Sequence, residues 1–197
     1  MGTSSREPII QELIAEGNDE QVVRLIDAIW DLEPERLNER LDLQMRLGRR
    51  YLALALSQAS GAPDEDVEVL LVRWFEQDIP SGVEGHRMIP EWYAEAEKLF
   101  SAVLERASLP QTKASSLAHR GLVHMLRGAN DLALAELDQA IAFSPLFPEF
   151  SYWRGLILVK LDAREEARTA LTMAYEQKPE NERYRRAYLR VIGSVDR

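Results

Sequence analysis

Residues 120–145 read RGLVHMLRGANDLALAELDQAIAFSP, and residues 154–179 read RGLILVKLDAREEARTALTMAYEQKP. The two stretches have equal length, open with Arg-Gly and close on Pro. Gly121 with Gly155, Ala133 with Ala167, Leu137 with Leu171, Ala140 with Ala174 and Pro145 with Pro179 are each 34 residues apart. Five matches at one offset identify a repeat, and the first question is what physical unit is being repeated.

Each stretch reads as two helices. Gly121 and Gly155 fall inside apolar helical runs, where glycine costs about 1 kcal/mol against alanine, so a close approach of another backbone or side chain is expected there. Ala133, Leu137 and Ala140 lie at i, i+4 and i+7, one face of the second helix, and form a shallow ridge for its partner. Pro145 and Pro179 end the unit, because proline disfavours helix at the residue before it. The turns are Gly128 to Asp131 in the first unit and Asp162-Ala163 in the second.

Outward from this core the signals weaken. Ala96-x3-Phe100 within PEWYAEAEKLFSAVLERA echoes the second half of a unit, and Pro90 opens that helix. Residues 78–90 form a Gly- and Pro-rich loop, and an acidic-started helix is expected over about 64–77. A long amphipathic helix follows Pro34 and ends near Gly61. Residues 6–34 read as a degenerate unit, with Val22, Ile26 and Ile29 on the inward face of its second helix. After Pro179, ENERYRRAYLRVIG closes the chain as a helix with a polar outer face. The expectation is an all-α fold of nine or ten helices.

The residues at 114–179 resemble the tetratricopeptide repeat (TPR) family, whose pattern is W-x2-L-G-x2-Y, then A-x3-F, then P, over a period of about 34 residues. Gly121 and Gly155 match its glycine, Ala133-x3-Leu137 and Ala167-x3-Leu171 its A-x3-F step, and the two prolines its end. Leu117 and Ser151 stand in the tryptophan place, Arg120 and Arg154 before the glycine, and His124 and Leu158 in the tyrosine place. The resemblance implies a short right-handed α-solenoid of helical hairpins with a C-terminal capping helix. Residues 1–110 would form diverged helical pairs and 111–197 the repeats plus cap, as one continuous domain. One helical pair cannot bury its own apolar face, and a similar neighbour buries it, so at least three pairs are expected.

The resemblance also implies a concave groove lined by the first helix of each unit, here Ala118, Leu122, Met125, Tyr152, Leu156 and Val159, with Lys160 one turn beyond. Such a groove is apolar and suits a partner helix or an extended peptide. Members of the family that clamp a C-terminal carboxylate use Asn where this chain has Leu122 and Leu156, so a clamp is not expected. The function implied is that of a noncatalytic adaptor, assembly factor or chaperone whose partner is another protein. Two other readings stay open: a structural subunit whose groove is filled by the chain's own helices, and an enzyme or ligand sensor built on loop 78–90, where His86 and Arg87 lie between Trp74 and Trp92. Exposure of Leu122, Met125 and Leu156 separates the first two.

Composition bounds the rest. The 197 residues carry a net charge of −9, which disfavours nonspecific binding to nucleic acid. No cysteine is present, which removes disulfides, thiolate metal sites and a thiol nucleophile. No apolar run approaches the ~18 residues that span a bilayer, so the expectation is a cytoplasmic protein without membrane insertion, with homo-oligomerisation left open. His119 and His124 are five apart and cannot share a metal on one helix face, and His124 in the tyrosine place is expected to pack as an aromatic substitute. No metal, cofactor or catalytic motif is expected. Arg183 and Arg186, in a final helix that interleaves Arg with Tyr184 and Tyr188, read first as part of a solvated cap and otherwise as a secondary surface for an acidic partner.

Overall fold

The computed structural model describes residues 37–60, 70 and 90–193, and the segments expected as a degenerate unit at 6–34 and as a helix at 64–77 lie outside them. The described residues form seven helices and no strand: α1 (Leu37–Ser60), α2 (Pro90–Arg106), α3 (Pro110–Leu126), α4 (Asn130–Phe143), α5 (Pro148–Lys160), α6 (Arg164–Gln177) and α7 (Glu182–Ile192).

Local chemistry accounts for the boundaries. Proline sits at the start of α2, α3 and α5, where its missing N–H costs nothing. Asn181 caps α7, its side chain accepting from the backbone N–H of Arg183 at 3.0 Å. The turn from α3 to α4 passes through Gly128 at φ 81°, and 34 residues later the turn from α5 to α6 passes through Asp162 at φ 56°. Asp tolerates that left-handed conformation better than most residues, and its carboxylate accepts from Arg164 Nε at 2.8 Å.

Successive described helices pack on one another: α1 on α2, α2 on α3, and so on to α6 on α7, with lighter contacts of α1 with α3 and of α5 with α7. One apolar cluster runs from Leu43 in α1 to Val191 in α7. Within it an aromatic row crosses three helices. Phe100 of α2, His119 of α3 and Trp153 of α5 have successive ring centroids 5.4 and 5.3 Å apart, and Phe150 then Phe147 continue at 6.0 and 5.3 Å.

The glycines do what their cost implied. A Cβ on Gly155 would lie 2.6 Å from Leu171 Cγ, and one on Gly121 would lie 3.1 Å from the Ala133 carbonyl and 3.6 Å from Leu137 Cγ. In both pairs the first helix lacks a side chain where the second inserts its leucine. A third pair shares this arrangement: a Cβ on Gly48 of α1 would lie 2.6 Å from Cε1 of Phe100 on α2. Leu137 and Leu171 follow their glycines by 16 residues, whereas Phe100 follows Gly48 by 52, so α1 and α2 are two halves of one pair with residues 61–89 between them.

Candidate interaction surface

Aligning α1 on Gly48, and α3, α5 and α7 at the offset of 34, puts the same helix face in four successive registers. One position is held by Met45, Ala118, Tyr152 and Arg186, and the next by Arg49, Leu122, Leu156 and Arg190. Tyr184 and Val191 of α7 occupy the places of Phe150 and Ile157 of α5, and all four are buried, which supports the register.

The structure divides the expected groove residues by exposure. Ala118 and Leu122 are 0% exposed and Met125 1%, and all three lie in the apolar cluster. Tyr152 is also buried, packed against Tyr184 of α7 with ring centroids 4.8 Å apart. Leu156 is half-buried, Val159 is 36% exposed and Lys160 is half-buried, so the accessible part of the predicted set lies at the end of α5. Arg183 and Arg186 are exposed on α7. His86 and Arg87 lie outside the described residues.

What sequence reading missed lies at the other end. A cavity of about 520 Å³ opens between α1 and the start of α3, lined by Leu41, Met45, Arg46 and Arg49 on one side and by Gln111, Thr112 and Ser115 on the other, with Leu109 and Asp42 at its edge. Met45 and Leu41 make its inner wall apolar, and Leu109 is 54% exposed. Arg46 pairs with Asp42 at 2.9 Å in an exposed contact, a kind that adds little stability and leaves the guanidinium able to exchange partners. Once the fold pairs Gly48 with Phe100, Met45 and Arg49 fall in register with Ala118 and Leu122.

A polar cluster joins α2, α3 and α4. Arg120 donates from Nε to Glu136 Oε1 at 2.8 Å and from Nη1 to Ser101 Oγ at 2.9 Å, while His124 Nε2 stands 3.6 Å from the same carboxylate oxygen. Burial pushes the Glu136 carboxyl up, but His124 and Arg120 beside it outweigh burial and hold it below the ordinary carboxylate range. Its Oε2 is buried with no hydrogen-bond partner among the described residues. His124, 13% exposed, packs between α3 and α4 beside that carboxylate, and His119 is the histidine packed among rings. Arg154, one unit on, repeats the arginine's reach: it donates to Asp138 of α4 at 2.6 Å, and Asp138 stands one residue after Leu137 as Ser101 stands one residue after Phe100. The Arg-Gly dipeptide thus does two jobs, the glycine admitting the second helix of its own pair and the arginine tying the pair to the one before.

Among the described residues no group of three His, Asp or Glu side chains is placed to hold a metal ion, and no helix is long and apolar enough to cross a membrane. No protein-family model matches the chain, and no curated protein matches it.

Proposed function

We propose that the protein is a noncatalytic protein-interaction module, a short right-handed solenoid of TPR-like hairpins acting as an adaptor, assembly factor or chaperone. The three Gly-centred helix pairs and the Arg-Gly links between them support the hairpin architecture. The observation that carries the binding role is the α1–α3 cavity, which has the first-helix register expected of a groove but adds Arg46 and Arg49 to an apolar wall. Its chemistry suits a peptide or helix presenting an apolar side chain next to a carboxylate. The test is affinity capture with wild type and an Arg46→Glu/Arg49→Glu variant, both verified as folded by circular dichroism. Loss of a specific protein from the variant supports the reading. An unchanged set of captured proteins removes the cavity as the binding site.

A second reading has its own support. Burial of Ala118, Leu122 and Met125 closes the middle of the first-helix face, as a structural subunit with an internally filled groove requires. In that case contacts with the rest of a complex fall on outer or terminal faces, and the capture experiment shows a partner indifferent to Arg46 and Arg49.

A further inference from the structure

Charge alternates with helix order. By sequence α1 carries +2, with four arginines against Glu39 and Asp42, and its mate α2 carries −2. The α3–α4 pair carries +2 and −3, and the α5–α6 pair +1 and −1. In each pair the glycine-bearing first helix is basic and the second, which seats against it, is acidic. The next first helix is α7, the most basic of all at +3, with Arg183, Arg185, Arg186 and Arg190 against Glu182. Among the described residues α7 packs on α6 and touches α5, both on the side facing the preceding pair, and Tyr188 stacks there on Tyr175 at 4.7 Å.

On the opposite flank of α7 the described side chains are largely exposed. Leu189 takes the place of Gly155, the point at which a second helix seats in the other pairs, and it is 52% exposed. Ile192 beside it is half-buried, and Arg185, Arg186 and Arg190 around it are exposed. Arg185 and Arg186 reach Glu182 of their own helix at 3.7 and 3.2 Å, contacts more than half exposed that a partner carboxylate can replace.

We propose that this flank of α7 is a docking site for an acidic amphipathic helix of another protein, which completes in trans the basic–acidic pairing that the other three first helices make in cis. The inference is independent of the α1–α3 cavity. Because α7 carries Leu189 where its counterparts carry glycine, the shape is inverted: the knob is on α7, and the incoming helix presents a small residue at the contact with carboxylates on either side. Apolar burial of Leu189 and Ile192 supplies attraction, and the arginines set orientation and exclude basic partners.

The probe is a capped synthetic peptide with the sequence of α4 carrying Leu137→Ala, NDLALAEADQAIAF, an acidic second helix that then presents small residues along its seating face. Its binding to the full chain is followed by fluorescence anisotropy at low and high salt. The expected result is saturable binding that weakens about tenfold or more on raising salt through a Debye length of about 10 Å down to about 3 Å. It is lost with Arg186→Glu/Arg190→Glu and with Leu189→Asp, and absent for a peptide whose three acidic residues are replaced by their amides. Two arginine substitutions on an exposed face leave the fold intact, so they carry the test if Leu189→Asp does not fold. Absence of saturable binding at millimolar peptide, or binding indifferent to the arginine variant, overturns the proposal. Salt-sensitive self-association of the full chain that the same variant abolishes also overturns it, by making a second copy the occupant.

Discussion

Replacing Gly155 by alanine sets helix propensity against packing, and the structure decides which wins. Alanine favours the helix by about 1 kcal/mol over glycine in its interior. The new methyl, however, would stand 2.6 Å from Cγ and 2.7 Å from Cδ2 of Leu171, which is 0% exposed. Carbon atoms rest at about 3.5–4.0 Å, so Leu171 or its helix must retreat by about 1 Å. Overpacking of that kind costs about 1–3 kcal/mol, and the net expectation is destabilisation by about 1 kcal/mol. Gly121→Ala differs, because its nearest obstacle is the Ala133 carbonyl at 3.1 Å and Leu137 stands off at 3.6 Å. A few tenths of an ångström relieve it, and the net change is within about 0.5 kcal/mol of zero. Urea titrations followed by circular dichroism measure both, and for a chain of this size the difference moves the melting temperature by about 2–4 °C per kcal/mol. The sharper check is a double-mutant cycle. Leu171→Ala alone costs about 2–5 kcal/mol, and in its presence Gly155→Ala meets no clash, so the second substitution turns neutral or stabilising. Additive effects of the two substitutions, or equal effects at positions 121 and 155, refute the close-approach account of these glycines.

Other expectations follow from burial and charge. Leu122→Asp buries a charge in a fully enclosed site and abolishes the cooperative thermal transition, whereas Leu156→Asp, at a half-buried place in the same register, leaves a folded protein with a lowered melting temperature. Arg120→Met leaves the buried carboxylate of Glu136 with only His124 beside it and costs about 3 kcal/mol, while Arg154→Met, whose partner Asp138 is 56% exposed, costs at most about 1 kcal/mol in the same urea titration. Since the carboxyl of Glu136 is held below its ordinary range in the folded chain, its ionised form stabilises the protein above about pH 4.3, the ordinary value. That contribution is lost as pH falls through the lower folded-state value. Melting curves from neutral pH downward should therefore show wild type losing more stability in acid than Glu136→Gln.

The repeat was legible because its two copies are contiguous: Gly121 and Gly155 each meet a leucine 16 residues on, within reach of a fixed-offset comparison. Gly48 was not legible, since its partner Phe100 comes after an insertion that carries no repeat signal, and only the fold brings them together. The face of each first helix could be read from its register, but coverage could not. Leu122 and Leu156 hold the same register and differ in exposure because exposure depends on neighbours contributed by distant sequence. His124 stands where the pattern expects an aromatic ring, and its actual contact is set by Glu136, a charge on the opposite helix that a pattern of apolar positions does not weigh. The cavity at Met45, Arg46 and Arg49 went unseen for the same reason as Gly48.

The divided pair also bears on the order in which the molecule assembles. In the unfolded chain, closing a contact between residues 52 apart costs more entropy than closing one 16 apart, by about 1 kcal/mol. The two contiguous pairs should therefore form first, and α1, although synthesised before them, should be recruited onto a surface that α2 and α3 have already built. In native-state hydrogen exchange the amides of α1 would then open at lower free energy than those of α3 to α6, making α1 more readily remodelled by a partner than the two contiguous pairs.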